Sequence, residues 1–229
     1  MGHITTEYIN TLSDEIPYIF IETGTFKGGI PQRMIEDGTI TQFQKVYTIE
    51  LNPEMCKIAS KRYSLFEAGE TFDTNTDEKD ESFKDRKEFF DGKLVLIQGD
   101  SSKKLKEVLD EVDGEPCIFW LDAHAGAKEG YVSGEVDCPL IQELEVIKNY
   151  SNNKHIIAID DADSLGNQQM KDGKVVCDYS NVKTGDVKKL LGDINKNFKI
   201  DYPSPFGQLM VTAVDNNTEV VGSNWWGSE

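Results

Sequence analysis

Apolar positions in this chain gather into short unbroken runs, and the stretches between them carry apolar residues at helical spacing. The runs are Tyr18–Ile21, Lys45–Glu50, Lys93–Gln98, Cys117–Leu121 and His155–Ile159. A continuous β-branched and aromatic run marks a strand buried on both faces, as in a parallel sheet. Ile30–Glu36, Pro53 onward through Met55, Ile58, Ala59 and Tyr63, the segment ending at Glu111, Leu140–Tyr150 and Lys183–Asn197 are spaced as helices. Gly38 is placed to stop the first of these, Pro53 fits a first helical turn, and Ser101 or Ser102 can cap the third. Ile4–Leu12 is a further short helix. Phe198–Tyr202 and Gln208–Val214 form two closing strands around Pro203-Ser204-Pro205-Phe206-Gly207. Strands alternating with helices predict an α/β fold with a mostly parallel sheet.

Composition narrows the partners. A chain of 229 residues fits one domain, residues 1–229, with a sizeable core. Its 24 basic and 41 acidic residues leave a net charge of -17. Such a surface repels phosphate backbones, so no nucleic-acid partner is expected. No apolar run approaches the ~20 residues of a membrane span, so no membrane partner is expected, and Met1–Asp14 is too polar for a signal peptide. Cys56, Cys117, Cys138 and Cys177 lie far apart, without metal-type pairing. They suit reduced thiols and a cytoplasmic location. Residues 67–88 are acidic, and Thr71–Asp77 lacks periodicity, which predicts a mobile insertion. Met1-Gly2 and Gly227-Ser228-Glu229 fit a domain cut from a longer protein.

Candidate chemistry sits at the strand ends, where open α/β sheets bind their ligands. The first run leads into Glu22-Thr23-Gly24-Thr25-Phe26-Lys27-Gly28-Gly29. Its Glu-x-Gly-x-x-x-Gly spacing differs from the Gly-x-Gly-x-x-Gly that wraps a diphosphate. Gly24 and Gly28 let backbone approach a ligand closely. Glu50 follows Glu22 by one βαβ repeat, and a carboxylate there can accept hydrogen bonds from both ribose hydroxyls. Asp100, in Gly99-Asp100-Ser101-Ser102, suits either an adenine amine or a helix cap. The fourth strand delivers Asp122-Ala123-His124 and the fifth Asp160-Asp161-Ala162-Asp163. Neighbouring strands lie about 4.8 Å apart, so Asp122, Asp160 and Asp161 can converge on one hard cation that offsets their mutual repulsion.

The glycine loop resembles motif I of the class I S-adenosylmethionine (SAM) dependent methyltransferases, and Glu50-Leu51-Asn52-Pro53 and Gly99-Asp100-Ser101 resemble the family's ribose and adenine segments. Asp122 with Asp160-Asp161 is similar to the acid set of the metal-dependent sugar O-methyltransferases of antibiotic biosynthesis and of rhamnosyl O-methyltransferases. The resemblance spans residues 18–165. It implies a Rossmann-like three-layer sandwich on a mostly parallel seven-stranded sheet with an antiparallel last strand. It also implies SAM held by Glu22, Gly24, Thr25, Gly28, Glu50, Leu51, Asp100 and Ser101, and Mg2+ or Mn2+ held by Asp122, Asp160 and Asp161. The implied reaction methylates a sugar hydroxyl of a glycan or glycoconjugate, and fusion to glycan-synthesis domains would fit it. The acidic insertion and the Ala-His after Asp122 depart from the family, leaving either His124 or Asp122 as the base. A catechol-like O-methyltransferase, walled by Trp225, Trp226 or Tyr131, and a non-catalytic scaffold are the alternatives.

Overall fold

The computed structural model describes residues 18–70, 77–126, 130–150, 152, 154–196, 198–201 and 209–213. The expected helix at 4–12, the turn at 203–207 and the Trp225-Trp226 pair lie outside the described residues. In chain order the elements are β1 (Ile19–Thr23), α1 (Gly29–Glu36), β2 (Lys45–Glu50), α2 (Pro53–Glu67), β3 (Arg86–Phe89), β4 (Leu94–Gln98) and α3 (Ser101–Val112). They continue with β5 (Cys117–Leu121), α4 (Leu140–Asn149), β6 (Ile156–Ile159), β7 (Gln168–Lys171), β8 (Lys174–Asp178), α5 (Thr184–Ile194), β9 (Phe198–Asp201) and β10 (Leu209–Ala213).

One eight-stranded sheet runs in the order β3-β4-β2-β1-β5-β6-β10-β9, where seven strands were expected. Its five central strands are parallel. The last strand in the chain, β10, pairs antiparallel with both β6 and β9. The extra strand is β3, antiparallel on the β4 edge. It escapes hydrophobic patterning because only Phe89 of its four residues is buried. Charged side chains also guard a sheet edge against further pairing. Arg86 donates to Glu111 at 2.8 Å and Lys87 to Asp80 at 2.8 Å, while Ser60 donates to Asp80 at 2.6 Å. These bonds tie Asp80 to α2 and Arg86 to α3.

Successive residues of a strand face opposite sides, so β1 sends Ile19 and Ile21 into one core and Phe20 into the other. The first core packs against Leu105, Val108 and Leu109 of α3, Leu144 and Ile147 of α4, and Val187 and Leu191 of α5. The second packs against Met34 of α1 and Cys56, Ala59 and Tyr63 of α2. The result is three layers with polar strand ends along one edge. A separate hairpin, β7–β8, turns through Asp172 and Gly173, both with positive φ (51° and 74°). Asp-Gly at a two-residue hairpin turn supplies that geometry at low cost.

Gly24 has φ 83°, and a Cβ there would lie 2.3 Å from the Asp122 carbonyl oxygen. The glycine therefore lets two backbones meet, the β1 loop and the β5 loop. Gly28 instead makes room for the Tyr63 side chain, whose hydroxyl would lie 2.6 Å from an added Cβ. Gly24→Ala is expected to cost about 3 kcal/mol, because a left-handed residue and a backbone clash combine. Thermal denaturation should show a fall of roughly 6–12 °C for a chain of this size. Gly38→Ala, with φ 80° but nothing within 4 Å, is the control, expected to cost only about 1 kcal/mol.

Candidate functional site

The strand register sets the site. Glu22 stands one residue from the end of β1, beside Thr48 of β2 and Trp120 of β5. Glu50 ends β2, Asp100 follows β4, Asp122 follows β5 and Asp160 follows β6. Parallel strands with aligned ends thus bring acids from five neighbours to one edge. A cavity of about 320 Å³ opens there, lined by Glu22, Glu50, Asp100 and Asp122 together with Gly24, Thr25, Leu51 and Ser101. That volume is at the lower end for small-molecule sites. Gly28 is the one expected cofactor residue outside the lining.

Glu22 is buried and accepts a hydrogen bond from the Thr48 hydroxyl, which in turn contacts Thr25. Burial pushes the Glu22 carboxyl up to about 8 against the pull of that bond, and the charges of Asp122 and Glu50 add to the rise. Glu50 accepts the Phe26 N–H at 2.6 Å and the Asn52 N–H at 2.7 Å. One carboxylate thereby ties the glycine loop to the start of α2. Burial still raises Glu50 to about 7, with those backbone bonds opposing. Each oxygen keeps a second lone pair for a ligand.

Asp100 is the N-cap of α3, accepting from the Ser102 N–H at 3.0 Å and the Ser102 hydroxyl at 2.6 Å through Oδ1. The cap is thus the aspartate and not a serine. Its Oδ2 faces Gly134, where an added Cβ would lie 3.3 Å away. Ser101 is buried beneath it, close to Glu143 of α4. Glu143 is 1% exposed, and burial lifts its carboxyl to about 7 while the Ser101 and Thr23 hydroxyls offset part of the rise.

At the β5 and β6 ends, His124 is the hub. Its Nε2 lies 3.5 Å from Asp122 Oδ1 and 3.4 Å from Asp161 Oδ2, and its Nδ1 meets the Ala125 carbonyl oxygen. Burial alone would lower His124, but hydrogen bonding to Asp122 and the Cys177 thiol, with the Asp122 charge, pushes it up to about 11. Its Nε2 thus stands between two carboxylates, Asp122 and Asp161. Burial raises Asp122, and the His124 cation pulls it back. Asp161 also accepts from the Tyr179 hydroxyl at 3.1 Å and Gln169 Nε2 at 3.4 Å. Asp160 is buried and lines a small void behind His124 with Glu143 and Tyr179. Among the described residues no group of three or more His, Cys, Asp or Glu side chains is arranged to hold a metal ion; of the three expected ligands, Asp122 and Asp161 approach His124 while Asp160 lines the void behind it.

Sequence patterning did not single out Lys27, Arg33 and Arg62, which line the cavity, nor Val132 and Val136, which line it with Tyr131, the residue expected as an aromatic wall. Tyr131 stacks on Phe26 (centroids 4.9 Å apart) and on His124 (5.5 Å). Asn52 fixes the Tyr131 loop by donating to the Gly130 carbonyl at 2.8 Å while capping α2. The two glycines of the loop, Gly130 and Gly134, were the available signal.

No protein-family model matches the sequence, and neither does any curated protein. Solved structures do. The chain is similar to the SAH-bound methyltransferase PaMTH1 of Podospora anserina, with TM-score 0.51 and 14% identity over 90% of this chain and 76% of that one. It is also similar to CalS11, a TDP-rhamnose 3'-O-methyltransferase of calicheamicin biosynthesis, with TM-score 0.53 and 13% identity over 92% and 78% of the two chains. The architecture is the class I methyltransferase fold. In that fold the antiparallel β10 lies between β6 and β9. Among the described residues no helix is long and apolar enough to cross a membrane.

Proposed function

We propose that this chain is a SAM-dependent O-methyltransferase whose acceptor is a sugar hydroxyl of a glycan or glycoconjugate. The observation that carries the reading is the convergence of Glu22, Glu50, Asp100 and Asp122, from four neighbouring parallel strands, on one cavity. The residues fit the cofactor's chemistry. Glu50 retains lone pairs for two ribose hydroxyls, Asp100 Oδ2 looks across the cavity, and buried Glu22 favours a cationic partner that would draw off its proton. Lys27 and Arg33 also line the cavity, where a ligand carboxylate would compete with Asp77 for Lys27. Bound there, SAM supplies an electrophilic methyl group on a sulfonium. Asp122 would take the proton of the acceptor hydroxyl as its oxygen displaced SAH from the methyl carbon, with His124, held between Asp122 and Asp161, orienting the Asp122 carboxylate. The sugar assignment is supported by the likeness to CalS11 and by the polar rim of Glu135, Asp137 and Gln142.

A small aromatic acceptor is the second reading, favoured by the Phe26–Tyr131 pair on the cavity wall. Supplying SAM with nucleotide sugars in one arm and catechols in the other, and following SAH release, separates the two. In either arm Asp122→Asn is expected to lower kcat by about 10²–10⁴ while SAM affinity stays within about 3-fold. Full activity in Asp122→Asn would remove the aspartate from the chemistry. Wild type that binds no SAM would reduce the chain to a scaffold on this fold.

A further inference from the structure

Left-handed backbone alternates along the loop after β1: Gly24 has φ 83°, Phe26 51° and Gly28 83°. Two of these residues are glycine, and the middle one carries an aromatic ring. The Gly28 N–H donates to the Thr25 carbonyl at 2.9 Å, so Phe26 is the first central residue of a tight turn. A positive φ there is ordinarily the place of Gly, Asn or Asp, and a bulky side chain adopts it at a cost. We propose that Phe26 is a positioning residue, kept in that conformation because its ring seats Tyr131 against His124 and so makes Tyr131 the fixed wall of the acceptor side of the cavity. The inference deepens the methyl-transfer reading and rests on it.

Four observations carry it. The Phe26 N–H donates to Glu50 Oε2 at 2.6 Å, which fixes the turn and with it the direction of the ring. The half-buried ring lines the cavity and meets Tyr131, with centroids 4.9 Å apart and planes tilted by 37°. Aromatic pairs favour such spacing in offset or tilted arrangements. Tyr131 in turn meets the His124 ring at 5.5 Å, so three rings run in a row from the end of β1 to the end of β5, where Asp122 stands. Finally, the backbone is bare where the rings lie. A Cβ on Gly130 would come within 3.0 Å of Phe26 Cε2 and 2.8 Å of Met55 Sδ, and one on Gly126 within 2.5 Å of Tyr131 Cδ1.

The ring does what the polar ties of this loop do not. Asn52 holds the Gly130 carbonyl and Lys103 pairs with Glu135 at 2.5 Å, which fixes backbone and rim but leaves the Tyr131 side chain to its aromatic neighbours. Val132 and Val136 are 42% and 38% exposed, so the rest of the loop buries little that would hold it down. Glycine at position 26 would take the turn at no cost and would leave Tyr131 without a partner on the glycine-loop side.

Limited chymotrypsin digestion of the full chain, with cleavage at Tyr131–Val132 followed by mass spectrometry, tests the seat without any ligand. Phe26→Gly and Phe26→Asn both accept the left-handed turn, and each is expected to be cut there about 10-fold faster than wild type or more, because cleavage follows the population of the open loop. Phe26→Tyr, which keeps the ring, should stay within about 2-fold. Circular dichroism identifies which ringless variant folds, and one suffices. With the nucleotide sugar or catechol that wild type methylates, the ringless variant should raise acceptor KM by about 5-fold or more, with kcat and SAM affinity within about 3-fold. Tyr131→Ala should raise KM as much, and adding Phe26→Gly to it should change KM by no more than about 2-fold, since Phe26 acts through Tyr131. Unchanged cleavage in a folded ringless variant, or KM effects that multiply in the double variant, would overturn the proposal. A wild type that methylates neither acceptor would sink the methyl-transfer reading instead, and the cleavage rates would still decide whether Phe26 seats Tyr131.

Discussion

Glu50→Ala is expected to weaken SAM binding by at least ~100-fold. The carboxylate does two things at once. It holds the Phe26 and Asn52 N–H groups at 2.6 and 2.7 Å, and it faces the cavity with the lone pairs that remain. A hydrogen bond to a charged group is worth about 1.5–3 kcal/mol, so losing two ribose contacts alone accounts for about 10²–10⁴ in affinity. Glu50→Gln keeps the size but turns one oxygen into a donor that opposes a backbone N–H. It should therefore bind almost as poorly as Ala. Calorimetric titration of SAM measures the affinity, and thermal denaturation measures how much of the loss reflects a loosened glycine loop. A Glu50→Ala protein with affinity within 3-fold of wild type would take the ribose role away from β2.

The apo protein is expected to lose stability, and to gain SAM affinity, as pH rises from about 5 to 8.5. Burial holds Glu22 at about 8 and Glu50 and Glu143 at about 7, against roughly 4.3 in an unfolded chain. Because the folded state binds these protons more tightly, their stabilisation is fully present below pH ~4.5. It is lost as pH climbs through the folded values of 7 to 8. His124 works in the same direction, since its folded value near 11 exceeds its unfolded one of about 6.5 and its share declines above that. At the acid end Glu111, held down to about 2 by the Arg86 guanidinium, loses its stabilisation only as pH falls toward that value. The melting temperature should therefore peak near pH 5 and decline toward pH 8.5. Ribose hydroxyls and a cationic ligand prefer ionised Glu50 and Glu22, so SAM should bind more tightly at pH 8 than at pH 6. Calorimetry in buffers of different ionisation heat should register proton release below pH 7. A melting temperature flat across this window would mean that the three carboxyls are already ionised in the apo fold.

The cavity is built so that its acids are costly until a ligand arrives. Glu22, Glu50, Asp100 and Asp122 line one wall of strand ends, and Tyr131 and Phe26 stand on the other. Asn52 links the two walls, capping α2 with its carbonyl oxygen and holding the Gly130 carbonyl with its amide. Substitution of Asn52 would thus reach both cofactor and acceptor sides.

The sequence by itself determined the central layer. Five apolar runs, each too continuous for an exposed strand, dictated the five parallel strands, because a sheet covered on both faces needs apolar residues at every position. It also placed Glu22, Glu50, Asp100, Asp122 and Asp160 at strand ends, since an acid after an apolar run has only the sheet edge to go to. Only the tertiary structure decided what those ends face. Edge strand β3 is held by ion pairs and one buried Phe89, and charged residues carry no periodicity to read. The hairpin β7–β8 leaves Met170 and Val175 exposed, so no buried face marks it in the sequence apart from Asp172-Gly173. The roles of Gly24 and Gly28 depended on Asp122 and Tyr63, about 98 and 35 positions away, which backbone spacing cannot reveal. The same holds for His124. Its neighbours in sequence are small and silent, and its surroundings, Asp122, Asp161 and Cys177, meet only when β5, β6 and the hairpin close around the ring.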